Sequence, residues 1–146
     1  MIGLVRFRSA DSSDILHLTT FLAANSLPTV GLEDWYMNFL VALDDKGAWV
    51  GVVGYEVYNQ SALLRSVAVE KALRGQGHGR ALVERALEEV RKRSIHTVYL
   101  LTDTAETYFE RLGFEPVGRD QIEPTVRNSK EFTDCCLTAH AMRIRL

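Results

Sequence analysis

Apolar and polar residues alternate through "LVRFRSA" at positions 4–10, the pattern of a half-buried strand. The period then lengthens. Ile15, Leu18 and Leu22 recur at helical spacing behind Asp11, Ser12 and Ser13, any of which offers an N-cap. Pro28 and Gly31 punctuate the next stretch, and Leu32, Trp35, Tyr36 and Phe39 leave both a short helix and an ordered loop open, with the aromatics read as packing. From about residue 40 the chain turns to short β-type runs, "FLVALDD", "AWVGVVGYEVY" and "ALLRSVAV", separated by turns at Asp45–Gly47 and near Asn59–Ser61. These predict an antiparallel meander.

A helix follows in which Leu82, Ala86, Leu87 and Val90 form one stripe while Glu84, Arg85, Glu88, Glu89, Arg91 and Lys92 cover the rest. The apolar run "HTVYLL" comes next, so strand, helix and strand predict a right-handed crossover and a parallel pair. A second helix spans roughly Ala105–Leu112, with Gly113 placed as its C-terminal cap before the strand "FEPVGR". The tail "CCLTAHAMRIRL" supplies a last strand. No repeat or linker interrupts the pattern, and a single α+β domain over residues 1–146 is the expectation.

Composition narrows the function classes. Hydrophobic residues make up 47% and charged residues 25% of the 146, as in an ordinary globular chain with one core. The formal charge is −2, and Lys and Arg are not massed together, so the footprint of a nucleic-acid binder is missing. The opening "MIGLVRFRSADSSD" lacks an export signal, and no apolar stretch approaches membrane-spanning length. The sequence predicts a cytoplasmic protein without a membrane partner. Cys135 and Cys136 are adjacent, which argues against a disulfide framework. On a strand their sulfurs would point to opposite faces, poorly placed to chelate a metal, so no metal is expected.

The candidate chemistry is concentrated in "LRGQGHGRAL", where Gly75, Gly77 and Gly79 open the long helix between Arg74 and Arg80. Unpaired amides and a partial positive charge at a helix N-terminus, with glycines removing steric cover, make an anion site suited to phosphate. The stretch lacks the Gly-Lys-Ser/Thr ending of a nucleotide-hydrolysing loop. Its glycines fall on every second position, and Tyr99 stands where a dinucleotide site needs an acid.

"LRGQGHGRAL" is similar to the acetyl-CoA signature [Q/R]-x-x-G-x-[G/A] of the GNAT superfamily of N-acetyltransferases, with Arg74, Gly77 and Gly79 in the defining places. The context agrees: "RSVAV" precedes it, a long helix follows, and "YFERLGF" resembles the superfamily's Y-x-x-x-G-F ending. The resemblance covers essentially the whole chain and implies a twisted, mixed sheet of six to seven strands flanked by helices on both faces. Within the superfamily, "ALLRSVAV", "VYLLTDTAETYFERLGFEPVGRD" and "EFTDCC" look most similar to small acetyltransferases encoded in arsenic-resistance operons, whose relatives act on amino acids or their analogues; Leu137 departs from their Cys-Pro.

The resemblance implies that acetyl-CoA lays its diphosphate on amides from Gln76 to Arg80, with Arg74, Gly75, Gly77, His78 and Gly79 around it, and its pantetheine along Val67, Ala68 and Val69. A backbone N–H near Val67 then faces the developing oxyanion. The superfamily's usual proton-donating tyrosine falls on Phe109, which leaves Tyr108, about 100° around the helix, as a substitute or water as the proton source. Phe109 and Thr102, the latter where an asparagine often stands, remain as cofactor contacts.

For the amine side, Glu56 and Arg65 are charges inside apolar strands, and a symmetric hairpin would set them opposite each other. If that face is the site, Arg65 grips a substrate carboxylate in bidentate fashion and Glu56 accepts the ammonium proton; otherwise they form a solvent-facing ion pair. Glu70 is the reserve base. The expected activity is acetyl transfer from acetyl-CoA to a small-molecule amine, with a peptide or protein N-acetyltransferase and a non-catalytic acyl-CoA sensor as alternatives. Dimers are common in the superfamily, but nothing in the sequence fixes an interface.

Overall fold

The computed structural model describes residues 4–146. Seven strands, β1 (Arg6–Ser9), β2 (Phe39–Leu43), β3 (Trp49–Tyr58), β4 (Ser61–Val69), β5 (Thr97–Thr102), β6 (Glu115–Pro116) and β7 (His140–Arg145), form one sheet in the order β1-β2-β3-β4-β5-β7-β6. β2 to β4 are the antiparallel meander expected from residue 40 onward, β1 adds antiparallel beside β2, β4 and β5 are the parallel pair, and β7 inserts antiparallel between β5 and β6. This is the mixed, helix-flanked α+β sheet that the sequence predicts.

Each sheet face buries its alternate residues under different cover. On one side, Leu40, Ala42, Val53, Tyr55, Leu64, Val98 and Leu100 pack against the stripe of α3 (His78–Lys92), namely Leu82, Val83, Ala86, Leu87 and Val90. Phe109 of α4 (Glu106–Arg111) joins this core. On the other, Phe39, Val41, Val52 and Ala68 meet Leu18, Phe21 and Leu22 of α1 (Ile15–Ala24) and Leu32 of α2 (Leu32–Trp35). A third cluster, with Leu63, Tyr99, Ile122, Val126 and Phe132, seats the segment that ends in α5 (Lys130–Thr133).

Asp11 does cap the first helical segment. Its carboxylate accepts from the Ser13 amide, while the Asp14 carboxylate accepts from the Asp11 amide, a capping box that leads through a 3₁₀ turn into α1. The stretch before β2 resolves as α2 followed by a 3₁₀ turn. Gly113, at φ +102°, ends α4 as expected. The tail differs from its expectation: β7 begins only at His140, so the cysteines lie before it, and Cys136 has a left-handed φ of +58°. No group of acidic, histidine or cysteine side chains among the described residues is arranged to hold a metal. No described helix is long and apolar enough to cross a membrane.

Candidate active site

Two irregularities open the sheet where β4 leaves its partners. The parallel ladder with β5 runs only from Ser61 to Leu63 against Thr97 to Tyr99, and beyond it the strands part. On the opposite side the register with β3 slips between Val52 and Gly54, so that Ser66 and Val67 bulge opposite Val53, with Ser66 at φ +61°. A bulge bends its strand and re-aims local groups. The result is a cleft of about 660 Å³ between the diverging strands, a volume ordinary for a small-molecule site.

One end of the cleft is the N-terminus of α3. Its N-cap is Gly77, at φ +88°, and no side chain there bonds to the first amides, so these donors remain for a ligand. A Cβ at Gly79 would come within 2.5 Å of the Tyr108 hydroxyl, so a side chain there would have to displace that ring. Arg74 is tied to the Val69 carbonyl and the Asn25 side chain, and Arg80 pairs with Glu84 at 2.8 Å. Val67, Ala68 and Val69 form the floor; Thr102, Phe109 and Tyr108 line the far wall. Thr102 Oγ accepts from the Ala105 amide at the start of α4.

The other end is built around Arg65, whose side chain is fully buried yet borders the cleft. Nη1 donates to Glu56 Oε2 at 2.9 Å and to the Val30 carbonyl at 2.6 Å, and Nε donates to Ser66 Oγ at 2.9 Å. Nη2 makes a longer approach of 3.5 Å to the Pro28 carbonyl. Glu131 of α5 lines the cleft, with Oε2 3.5 Å from Arg65 Nε. Burial pushes its carboxyl up to about 7 against the opposing pull of Arg65. Burial likewise raises Cys136, which also borders this end, to about 12, so it stays a thiol.

The structure therefore brings Arg65, Val67, Ala68, Val69, Arg74, Gly75, Gly77, His78, Gly79, Arg80, Thr102, Tyr108 and Phe109 to one cleft. It corrects several expectations. The β3–β4 turn is centred one position earlier than the symmetric reading assumed, because Asn59 and Gln60 alone form it and Tyr58 pairs with Ser61. Glu56 thus faces Leu63, Arg65 faces Gly54, and the two charges meet diagonally. Their pair is buried, not solvent-facing, which excludes both the opposite pairing and the surface bridge. Glu56 is not a wall of the cleft; its oxygens are taken by Arg65 and the Tyr58 hydroxyl. A bidentate grip by Arg65 is also unavailable, since Nη1 is spent on protein acceptors.

Two further positions differ. Gln76 turns to a smaller neighbouring cleft with Asp44 and Leu73. Glu70 is exposed and outside the main cleft. The Tyr108 hydroxyl lines the main cleft against the first turn of α3. Glu131 was missed altogether. Its only sequence signal was an acid next to a phenylalanine in an unassigned segment, and the groups that shift it come from β3 and β4.

Comparison with known proteins agrees with this geometry. The family model of the acetyltransferase (GNAT) domain matches residues 35–116. An uncharacterized N-acetyltransferase of Chlorobaculum tepidum is 29% identical over 133 residues, 88% of this chain and 83% of its own length. An amino-acid acetyltransferase of Mycobacterium tuberculosis is 36% identical over 73 residues, half of this chain and 38% of that protein. Among solved structures, N-acetylglutamate synthase from Neisseria gonorrhoeae, complexed with coenzyme A and N-acetyl-glutamate, superposes with a TM-score of 0.85 at 19% identity. This chain covers only 36% of it, about a third of its length. Rv2747 from Mycobacterium tuberculosis, in complex with CoA and NLQ, superposes with a TM-score of 0.79 at 25% identity over 97% of this chain and 99% of that one.

Proposed function

Since the chain belongs to the acetyltransferase (GNAT) family, whose members are acetyl-CoA-dependent acyltransferases, we propose that it acetylates the amine of an amino acid or amino-acid analogue in a ternary complex. The observation that carries the reading is the continuity of the cleft. Uncapped amides of α3 at one end and the β4 bulge at the other are joined by an edge of β4 that β5 has left unpaired. The span from Val69 to Arg65 is about 13 Å at strand rise. Acetyl-CoA has a shape that fits it: a diphosphate for the helix terminus, an amide-bearing pantetheine for the open edge, and a thioester for the bulge.

In this reading Arg74, Gly75, Gly77, His78, Gly79 and Arg80 surround the diphosphate, Val67 to Val69 pair with the pantetheine, and Thr102 and Phe109 close the far side. The Val67 amide, turned by the bulge, donates to the carbonyl oxygen as it becomes an oxyanion. The amine attacks the thioester carbon, the C–S bond breaks, and the sulfur leaves as thiolate. With Phe109 at the superfamily's tyrosine position, the thiolate takes its proton from the attacking nitrogen or from water, consistent with a thiol pKa near 8.5.

The amino-acid acceptor class is supported by the likeness to an amino-acid acetyltransferase over half the chain and by the positive charge that Arg65 places at this end of the cleft. The resemblance of "ALLRSVAV" and "EFTDCC" to acetyltransferases of arsenic-resistance operons adds arsenical and phosphinic analogues of glutamate to the acceptors to be tried. The test is thiol release from acetyl-CoA with amino acids, these analogues, polyamines and short peptides as acceptors. The highest kcat/KM is expected for a carboxylate-bearing amino compound. A preference for peptides or polyamines would overturn the acceptor class.

A further inference from the structure

We propose that Glu131 is the group that takes the proton from the incoming ammonium, and that Arg65, backed by Glu56, is the positioning residue that holds it at the bulge. The inference rests on the acetyltransferase reading and adds the residue that makes its nucleophile competent. Arg65 Nε lies between two acceptors, Ser66 Oγ at 2.9 Å and Glu131 Oε2 at 3.5 Å, which sets the carboxylate beside the point where the strand bulges. Glu131 is 4% exposed and borders the cleft, so the little surface it keeps belongs to the site.

Charge makes the same argument. The buried cluster contains two carboxylates, Glu56 and Glu131, and one guanidinium, Arg65. Glu56 is fully engaged by Arg65 and the Tyr58 hydroxyl, while Glu131 has only the longer contact. The surplus negative charge therefore sits on Glu131, where an ammonium completes the balance. The other titratable groups facing it, the Cys135 and Cys136 thiols, stay protonated because burial raises both. Asp103 stands further along the same wall and adds a second negative charge.

The step balances simply. The ammonium transfers one proton to a Glu131 oxygen, and the freed nitrogen lone pair forms the C–N bond. The thioester carbonyl becomes an oxyanion and reforms as C–S breaks. The second proton on nitrogen goes to the departing thiolate, directly or through water, giving free CoA thiol and the amide. Glu131 then returns its proton to solvent. Burial sets Glu131 to be half ionised near neutral pH, where a general base is most effective.

The test compares wild type with Glu131→Gln, which keeps shape and removes the base. Wild-type kcat/KM is expected to rise with pH through about 7. Glu131→Gln should lose that limb and at least about a hundredfold in kcat/KM for an ordinary amino acid. Acetyl-CoA binding should stay unchanged. A weakly basic acceptor such as methoxyamine, which arrives already neutral, should recover most of the lost rate. If Glu131→Gln does not fold, Glu131→Asp replaces it, and the limb should move while acetyl-CoA still binds. An active wild type whose limb and rate survive either substitution overturns the role of Glu131. A wild type that binds no acetyl-CoA, or releases no thiol with any amine, overturns the acetyltransferase reading instead.

Discussion

At the residue scale the site depends on a few positions with no room for change. Gly77 holds φ +88° at the N-cap of α3, and an alanine there costs about 1–2 kcal/mol in the left-handed region. Gly77→Ala should therefore lower stability by that amount in urea denaturation and weaken acetyl-CoA binding together. Tyr108→Phe makes the opposite case. Its hydroxyl is set against α3, so kcat should change by less than about threefold, water being able to protonate a thiolate. A loss of several orders of magnitude would restore Tyr108 as the acid. Arg65→Ala leaves two buried carboxylates without their cation, a loss of about 3–5 kcal/mol, so acceptor recognition is better read from Arg65→Lys. That variant keeps the charge but loses the guanidinium fork that ties Ser66, Val30 and Glu56 together at this end of the cleft, and should raise KM for a carboxylate-bearing acceptor about tenfold. An unchanged KM would remove Arg65 from carboxylate recognition.

At the element scale, what was legible in the sequence was whatever adjacent residues encode. "LRGQGHGRAL" shows its anion site because the glycines and the helix they open are contiguous, and the stripe of α3 names the face it buries. The Glu56–Arg65 contact was legible as a pair of charges in apolar strands, but its geometry was not, since a turn shifted by one position changes every partner. The Ser66 bulge carried no signal: serine is an unremarkable strand residue, and its left-handed φ accompanies the register slip of β4 against β3. Glu131 was hidden for a similar reason. It lies 66 positions from Arg65 in a segment whose only α-helix is four residues long, and the groups around it come from β3 and β4. The Asp11 capping box belongs to the legible class. Asp11→Ala should cost about 1 kcal/mol, seen as a lower urea midpoint with thiol release unaffected.

At the scale of the whole molecule, the buried cluster links stability to pH. Burial raises the Glu131 carboxyl from its ordinary 4.5 to about 7, so folding favours its protonated form. The stabilisation is fully present below the unfolded value and is lost as pH rises through about 7. Unfolding free energy should thus fall between pH 5 and pH 8 more steeply in wild type than in Glu131→Gln, where this contribution is absent. Equal slopes would mean that Glu131 is not perturbed. The stability given up at neutral pH has a functional counterpart, a base that is ionised when an ammonium arrives.

The central claim is that the opening between β4 and β5, with the α3 terminus at its head, is an acetyl-CoA site. A calorimetric titration of acetyl-CoA into the purified protein tests it most directly, with Gly79→Trp as the partner variant because any side chain there fills the space against Tyr108. The account predicts saturable one-to-one binding by the wild type and none by the variant. Absence of binding by the wild type, or equal binding by both proteins, would contradict it.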